Sequence, residues 1–318
     1  MIRKGVLNMN VDKKILESDL QLLSNVTDIN FENNIFNIRK DGKSIARNIT
    51  KDVAIITKED GSGIDIIVKE NTKSALIMIP VIITKSGLND IVYNDFHIGA
   101  NSNVTIMAGC AIQNNKSKKT SHQGIHRFFI AENASVKYSE KHYGTGHGSG
   151  HKVLDPVTEI EMDTNSSMHI NTIQIEGVTS TVRFTKAQLK NNSTLCINEK
   201  IMTSHDQYGK TEFIVDLKGK NSSCHVTSRS VATNDSSQIF ISKMNGNNEC
   251  YGHVECDAIL KNNGHVQAIP EVNANHPHAN LIHEATIGKI AGEQLTKLMS
   301  LGLSAEEAEI QIINGFLK

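Results

Sequence analysis

Several residue types are scarce in this 318-residue chain. It has no tryptophan, four prolines and an aromatic content of 4%, whereas Asn, Ser, Thr and Ile are abundant. This composition suits stacked short strands better than a helical enzyme core. No stretch approaches the roughly 18 apolar residues that cross a bilayer, and Met1-Ile2-Arg3-Lys4 is not followed by a secretory apolar segment. We therefore expect a soluble, cytoplasmic protein with no membrane partner.

Excess charge and paired cysteines are also missing. The formal net charge is −1, so the chain lacks the basic surface by which proteins attract nucleic acid or anionic membranes. No two of the five cysteines form a CxxC pair, and their number is odd. Both facts argue against a disulfide framework and a structural zinc site, and they predict reduced thiols. The cysteines are Cys110, Cys196, Cys224, Cys250 and Cys256.

What is present is a recurring pattern that reads Asn, small, polar, apolar, any, apolar. Successive copies lie 32, 32, 27, 29 and 42 residues apart, which fits one coil, or one and a half coils, of a solenoid. An Asn followed by a small residue tolerates the left-handed backbone of a corner, and the alternation behind it gives an inward and an outward face. The pattern predicts a parallel β-helix. A β-sandwich is the alternative, although its turns would recur about every 8 to 12 residues. The copies begin at Asn101, Asn133, Asn165, Asn192, Asn221 and Asn263.

The repeat is absent from both ends of the chain. Helical spacing from Asp12 to Leu23 predicts a helix in a small N-terminal cap. After the repeat the apolar period changes to 3.6, which predicts an amphipathic helix from Leu281 to Leu298 that Gly302 ends. A capping box at Ser304 to Glu307 predicts the start of a second helix. The chain thus divides into a cap, a β-helix core and a C-terminal helical region: residues 1–50, 51–270 and 271–318.

A series of short motifs near the C-terminus resembles the signature of one known family. They are Gly252 to Ile259, Ile269-Pro270-Glu271, Leu281 to Ala285, Gly288 to Leu295 and Gly315-Phe316-Leu317. The series resembles the SufB/SufD iron-sulfur cluster assembly scaffolds, most clearly over about residues 205 to 318. Upstream, the repeat pattern and the length are similar to those of the short SmsB-like scaffolds of minimal systems. The resemblance implies a right-handed β-helix and a non-enzymatic scaffold that carries a transient iron-sulfur cluster.

The resemblance also implies a site. Cys256 matches the position at which SufB accepts sulfur and ligates the nascent cluster. Period-two spacing directs it inward, where a free cysteine by itself would be a small buried hydrophobe. His283 and Glu284 match a His-Glu pair implicated in holding iron, although without the resemblance a pair at a helix start is more often a solvated cap than a ligand set. Ile282 stands where SufB commonly has Glu. The outward-facing secondary candidates are His253, Glu255 and Asp257.

In the family, the C-terminal helical region docks SufC, an ABC-type ATPase. The chain has no GxxxxGK[ST] loop of its own, so nucleotide hydrolysis is assigned to that partner. A sulfur source and apo-protein acceptors are further expected partners. Two amphipathic helices at the end of a solenoid could also simply cap its open coil. The candidate docking residues are Lys289, Glu293, Leu295, Leu298 and Phe316.

A single strong thiolate candidate suits a scaffold, because hard ligands hold a cluster less tightly than four thiolates do and so favour release. A homodimer would double Cys256, His283 and Glu284, and pairing between chains would satisfy unpaired strand edges. The main alternative is a structural subunit similar to SufD, although SufD-like chains generally lack the acceptor cysteine. A polysaccharide-active β-helix enzyme would need a secretion signal and an Asp- and Arg-lined groove, which are not evident.

The remaining candidates are three histidines and two cysteines. The sequence places His142, His147 and His151 in one glycine-rich loop, where incidental metal affinity is expected and a role is not assigned. Cys224 occupies an inward position of the repeat and is expected in the core. Cys196 is outward by the same phase.

Overall fold

The computed structural model describes residues 17–27, 31 and 34–318. The chain winds into a solenoid in which each coil contributes one strand to each of two facing ten-stranded sheets. This architecture confirms the predicted parallel β-helix. Sheet A consists, in spatial order, of β2 (Lys43–Asn48), β1 (Ile35–Lys40), β5 (Ala75–Ile83), β7 (Asn103–Gln113), β9 (Ser135–Thr145), β12 (Ser167–Glu176), β14 (Thr194–Thr203), β16 (Ser222–Ala232), β18 (Cys250–Leu260) and β20 (Ala279–Gly288).

Sheet B faces sheet A across the interior, and its strands stack in the same succession of coils. Listed from the C-terminal end, they are β19 (His265–Ala274), β17 (Ser237–Gly246), β15 (Tyr208–Leu217), β13 (Ser180–Leu189), β10 (Lys152–Leu154) with β11 (Val157–Met162), β8 (Thr120–Ile130), β6 (Asn89–Ile98), β4 (Gly63–Val68) and β3 (Val53–Thr57). The pairs β1/β2 and β3/β4 are antiparallel, and the pairs beyond them are parallel. Antiparallel hairpins thus close the N-terminal end, whereas β19 and β20 leave parallel edges at the other end.

The repeated asparagines form the corners of the coils. Asn101, Asn133, Asn165, Asn192 and Asn221 all have φ between 55° and 58°, a left-handed backbone that Asn adopts more readily than most residues. Their side chains form a ladder in which each amide donates to the Asn one coil earlier, at 3.0 to 3.3 Å. Each corner is therefore stabilised by the corners next to it.

The last copy of the pattern belongs to a different ladder. The left-handed residue there is Asn262, with φ 58°, rather than Asn263, and its amide donates to Asn234 at 2.9 Å. Both residues precede strands of sheet B, whereas the corners up to Asn221 precede strands of sheet A. The long final interval is thus one and a half coils, as the spacing predicted.

Three helices occur in the described part of the chain. α1 (Glu17–Val26) packs Leu22, Leu23 and Val26 against the outer face of sheet A at its N-terminal end. The predicted helix began at Asp12, and residues 12–16 lie outside the described residues. α2 (Gly292–Ser300) and α3 (Ala305–Phe316) follow the last strand. None of these helices is both long enough and apolar enough to cross a membrane.

The helix predicted from Leu281 is wrong in its first half. Residues 279–288 form strand β20, which pairs with β18 along its length, and the helix begins only at Gly292. The apolar residues Leu281, Ala285 and Gly288 imitate a helical stripe, but the exposed edge of β18 offers a full set of backbone hydrogen bonds, and β-branched residues favour a strand there. His283 and Glu284 therefore lie on a strand and not at a helix start.

The second C-terminal helix matches its prediction. Ser304 caps α3 in a capping box with Glu307, which satisfies two backbone donors at the start of the helix. Ile313 and Leu317 are buried against Val231 on the flank of sheet A. α2 has no buried residue and contacts α3. The helices thus lie beside the ends of the strands.

Candidate functional site

The predicted site residues lie on the last two strands of sheet A. Parallel pairing of β18 with β20 sets Cys256 beside Ala285, Val254 beside His283, and Glu255 beside Glu284. β20 is the edge strand of the sheet. The fold therefore brings the two separated motifs into adjacent strands at the C-terminal end of the solenoid.

The inner face of this edge carries Cys256 and His283. The Cys256 side chain is 1% exposed, as its period-two phase predicted. Burial, with the charges of Glu199 and Asp257 adding to it, raises the pKa of the Cys256 thiol to about 12, so the thiol is protonated at neutral pH. The sulfur is thus shielded both from solvent and from ionisation.

His283 is half-buried in the last coil. Its Nε2 is buried and forms no hydrogen bond with any described residue, and burial, helped by the nearby His253, lowers its pKa. A neutral imidazole with an unused nitrogen has a lone pair or a proton to offer to a ligand. Buried polar atoms without a partner are uncommon, and they often mark a missing ligand or protein partner.

The outer face of the same edge carries the other candidates. Glu284 is exposed and lies beside Glu255, and its Oε2 is 3.6 Å from Nε2 of His253. The ring of His253 in turn meets that of His225 edge-on at 4.8 Å. Asp257 also points outward. The structure therefore separates Cys256 and His283 on the inside from Glu284 and the secondary candidates on the outside.

A buried polar row that the sequence motifs did not predict leads to Cys256. Glu199, Ser228 and Cys256 occupy the same inward register position on successive strands of sheet A. Ser228 donates to Glu199 Oε1 at 3.1 Å and Thr211 donates to Oε2 at 3.0 Å. Burial raises the pKa of Glu199, and Arg183 lies 3.3 Å from it. The sequence feature that could have revealed this row is Glu199, a carboxylate at an inward position of the repeat whose inward neighbours on the strand are apolar.

The histidine-rich segment is not one loop. His142 lies on β9 with its side chain buried inside the solenoid, whereas His147 and His151 are exposed beyond that strand. The interpretation of three histidines on one glycine-rich loop is therefore wrong. Cys224 is buried, and Cys196 is outward and half-buried, as predicted.

One described acidic group has donor atoms close enough to surround a cation. Ligand atoms of Asp65, Asp95 and His97 lie within 4.8 Å of one another. Lys58 already bonds both carboxylates, and Arg127 donates to Asp95 at 2.7 Å. The group is thus a charge-balanced cluster, far along the solenoid from Cys256.

Of the predicted docking residues, those in and just before α2 lie on an open surface, whereas Phe316 packs against sheet A. Lys289, which precedes α2, and Glu293, in its first turn, are exposed. Leu295 and Leu298 belong to α2 and are half-buried. Phe316 packs on the flank of sheet A, where the Arg229 guanidinium lies 5.9 Å from its ring centroid and donates to its carbonyl. Exposed Met299 and Leu301 extend the apolar surface of α2. Nothing in the described chain covers this face of α2.

Comparison with known proteins relates the chain to one family. Residues 83–316 match the family model described as SUF system FeS cluster assembly, SufBD core domain. An iron-sulfur cluster assembly SufBD family protein of Methanocaldococcus jannaschii is 28% identical over 238 residues, which cover 74% of each chain. Another from Pyrococcus horikoshii is 29% identical over 273 residues, 81% of this chain and 78% of the relative. A third, from Archaeoglobus fulgidus, is 29% identical over 220 residues, 68% of this chain and 58% of the relative.

Proposed function

This chain belongs to the SufBD family of iron-sulfur cluster assembly proteins, and from that premise we propose that it is the scaffold on which a labile cluster is built, at an interface between two copies of itself. The cluster is cargo that is assembled and then released to apo-proteins. The observation that carries the proposal is the position of Cys256 and His283 in the last two coils, next to an unpaired sheet edge.

The open end of the solenoid supports a dimer. β19 and β20 are edge strands of ten residues each, and long unpaired edges are sites of strand addition. Ile269, Val272, Ile282 and Ile287 are exposed on these strands. Helices α2 and α3 lie beside the sheet and do not cover this end. A second copy is the partner whose edges match in length and direction.

A dimer would also complete the ligand set. Each chain contributes one inward thiol on β18 and, on the edge strand β20, one imidazole with an unused nitrogen and one outward carboxylate. A two-fold axis at this edge would bring two copies of Cys256, His283 and Glu284 around one interface. Mixed thiolate, imidazole and carboxylate ligands bind a cluster less tightly than four thiolates, which suits a cargo that must leave.

The state of Cys256 implies that the site must open. A protonated thiol that is 1% exposed neither attacks a sulfur donor nor ligates iron, because both reactions need the thiolate. We infer that a SufC-like ATPase, docked on the exposed face of α2 with Lys289, Glu293, Leu295, Leu298 and Phe316 contributing, shifts the terminal coils when it binds ATP. Phe316 links α3 to Arg229 on β16, which pairs with β18 and so connects the docking face to the cysteine strand.

The test compares two cysteines of equal burial. The chain is co-purified anaerobically with its candidate ATPase, reconstituted with iron and sulfide, and analysed by visible absorption and Mössbauer spectroscopy as wild type, Cys256→Ser and Cys224→Ser. Both cysteines are 1% exposed on sheet A, so the packing cost of the two substitutions is matched. We expect cluster yield to fall sharply in Cys256→Ser and to persist in Cys224→Ser. Equal yields in all three proteins would remove Cys256 from the site and favour a structural subunit similar to SufD.

A further inference from the structure

A second group of side chains of the types that can ligate metals lines a small cavity of about 10 Å³ in the N-terminal half of the β-helix. Its lining includes Cys110, His122, His126, Glu140 and His142. All five residues are at most 6% exposed. Burying this many polar groups costs several kcal/mol in total unless each finds a partner. The proposed function uses none of them.

Two of the imidazoles converge on one point. His122 and His126 both face inward from β8, with Gly124 between them. His122 Nδ1 donates to Asp90 at 2.9 Å, and His126 Nδ1 is hydrogen-bonded to the Tyr138 hydroxyl at 2.6 Å. These bonds occupy the Nδ1 atoms and leave both Nε2 atoms for another ligand. A carboxylate or hydroxyl behind the ring is the arrangement by which proteins orient histidines that bind metals.

The absent side chain of Gly124 makes the space between the two rings. A Cβ added there would lie 2.9 Å from His126 Nε2 and 3.5 Å from His122 Nε2. Both nitrogens therefore border the volume that any other residue would fill. The backbone of Gly124 has an ordinary negative φ, so no conformational requirement accounts for glycine at this position.

Further donors reach the cavity from the opposite sheet. Cys110 on β7 and His142 on β9 are register neighbours. His142 Nε2 lies 3.4 Å from Glu140 Oε1, while the other carboxylate oxygen, Oε2, faces Arg183 at 3.3 Å. Cys110 and Glu140 line the same cavity as the two imidazoles. Their donor atoms do not form a set of three within 4.8 Å with the imidazole nitrogens, so binding an ion would require a side chain to rotate. The available set is thus imidazole, thiol and carboxylate.

We propose that this cavity binds one divalent first-row transition-metal ion, held by the Nε2 atoms of His122 and His126, with Glu140 or Cys110 as the third ligand; the Cys110 thiol would release its proton when it binds the ion. Imidazole and thiol donors select Fe²⁺, Co²⁺ or Zn²⁺ over Mg²⁺ and Ca²⁺, which require oxygen ligands. A cavity of about 230 Å³ near the N-terminal end shares Ile79 and Val81 with this one. The site is separate from Cys256 and does not depend on the proposed function.

The test uses the full chain with Cys256→Ser and His283→Ala, which removes two ligands proposed for the cluster. Co²⁺ is titrated anaerobically while visible d–d absorption and bound metal per chain are measured. We expect one tightly bound Co²⁺ per chain. Adding His122→Asn and His126→Asn should abolish that binding, because an Asn amide can keep the bonds to Asp90 and Tyr138 but has no atom at the Nε2 position.

The matched control replaces two exposed histidines, His169→Asn and His265→Asn, and should leave Co²⁺ binding unchanged. Failure of the starting protein to bind Co²⁺ would overturn the proposal, as would unchanged binding after the His122 and His126 substitutions. If that double variant does not fold, Gly124→Ala provides the test. The alanine methyl group would fill the space between the two Nε2 atoms, so weaker Co²⁺ binding would support the site and unaltered binding would overturn the proposal.

Discussion

Replacing one corner asparagine tests how the coils are held in register. Asn165 has φ 57°, donates to Asn133 at 3.2 Å and accepts from Asn192 at 3.0 Å. Losing both side-chain hydrogen bonds costs about 1–2 kcal/mol, at roughly 0.5–1 kcal/mol each on an exposed surface. An alanine at this position would also be strained by the left-handed backbone, which costs about 1–2 kcal/mol, whereas a glycine would not. Glycine makes the unfolded chain more flexible, and this entropy offsets about 0.4–1 kcal/mol of the strain that glycine avoids.

We therefore expect Asn165→Ala to lower the free energy of unfolding by about 2–4 kcal/mol, and Asn165→Gly to lower it by about 0.5–1 kcal/mol less. Urea unfolding followed by circular dichroism measures both. Asn171→Ala is the control, because Asn171 accepts one such bond, from Asn198 at 3.1 Å, on an extended strand, so its cost is about 0.5–1 kcal/mol. Equal losses for Asn165→Ala and Asn165→Gly would refute a contribution from the left-handed corner.

Two further predictions concern the terminal edge and a charged cluster. The double variant Ile282→Lys and Val272→Lys should convert a dimer into a monomer in analytical ultracentrifugation. The control, Val182→Lys at an exposed position of a central strand, should leave the dimer intact. A dimer that persists in the double variant would contradict association through β19 and β20. Burial opposes ionisation of Asp95, but bonds from Arg127 and Lys58 outweigh it and lower its pKa, so the stability it adds is present above its unfolded pKa of about 3.8 and is lost as pH falls below that value. Asp95→Asn should accordingly cost about 1–2 kcal/mol at pH 7 and little near pH 2 in urea unfolding, and a difference that does not change with pH would contradict this account.

The sequence predicted the solenoid better than its final coil. The Asn pattern indicates both the corner conformation and the inward phase of the strands, so the β-helix and the buried position of Cys256 were predictable. The start of α3 was predictable for a different reason, the capping box at Ser304. Strand β20 was not, because its spacing also fits a helix and the choice is made by the open edge of β18, which is distant in sequence.

The arrangement of the site was predictable only in part. Family motifs pointed to Cys256, His283 and Glu284, but their separation onto two faces depends on the register between two strands, which no local pattern encodes. The polar groups inside the solenoid could have been found, since Glu140 and Glu199 both occupy inward positions of the repeat. The contacts of Glu199 with Ser228 and Arg183 could not be predicted, because they depend on how strands from different coils lie against each other.

The two ends of this solenoid differ in a way that limits assembly. At the N-terminal end, β2 and β3 have six and five residues and run antiparallel to their neighbours, and β2 carries Lys43 and Arg47. Among the described strands, the ten-residue edges of β19 and β20 find no match at that end, which disfavours head-to-tail polymerisation, the usual hazard of an open-ended repeat protein. In the proposed dimer, contact through the C-terminal coils would occupy both of these described edges and leave neither for a third copy.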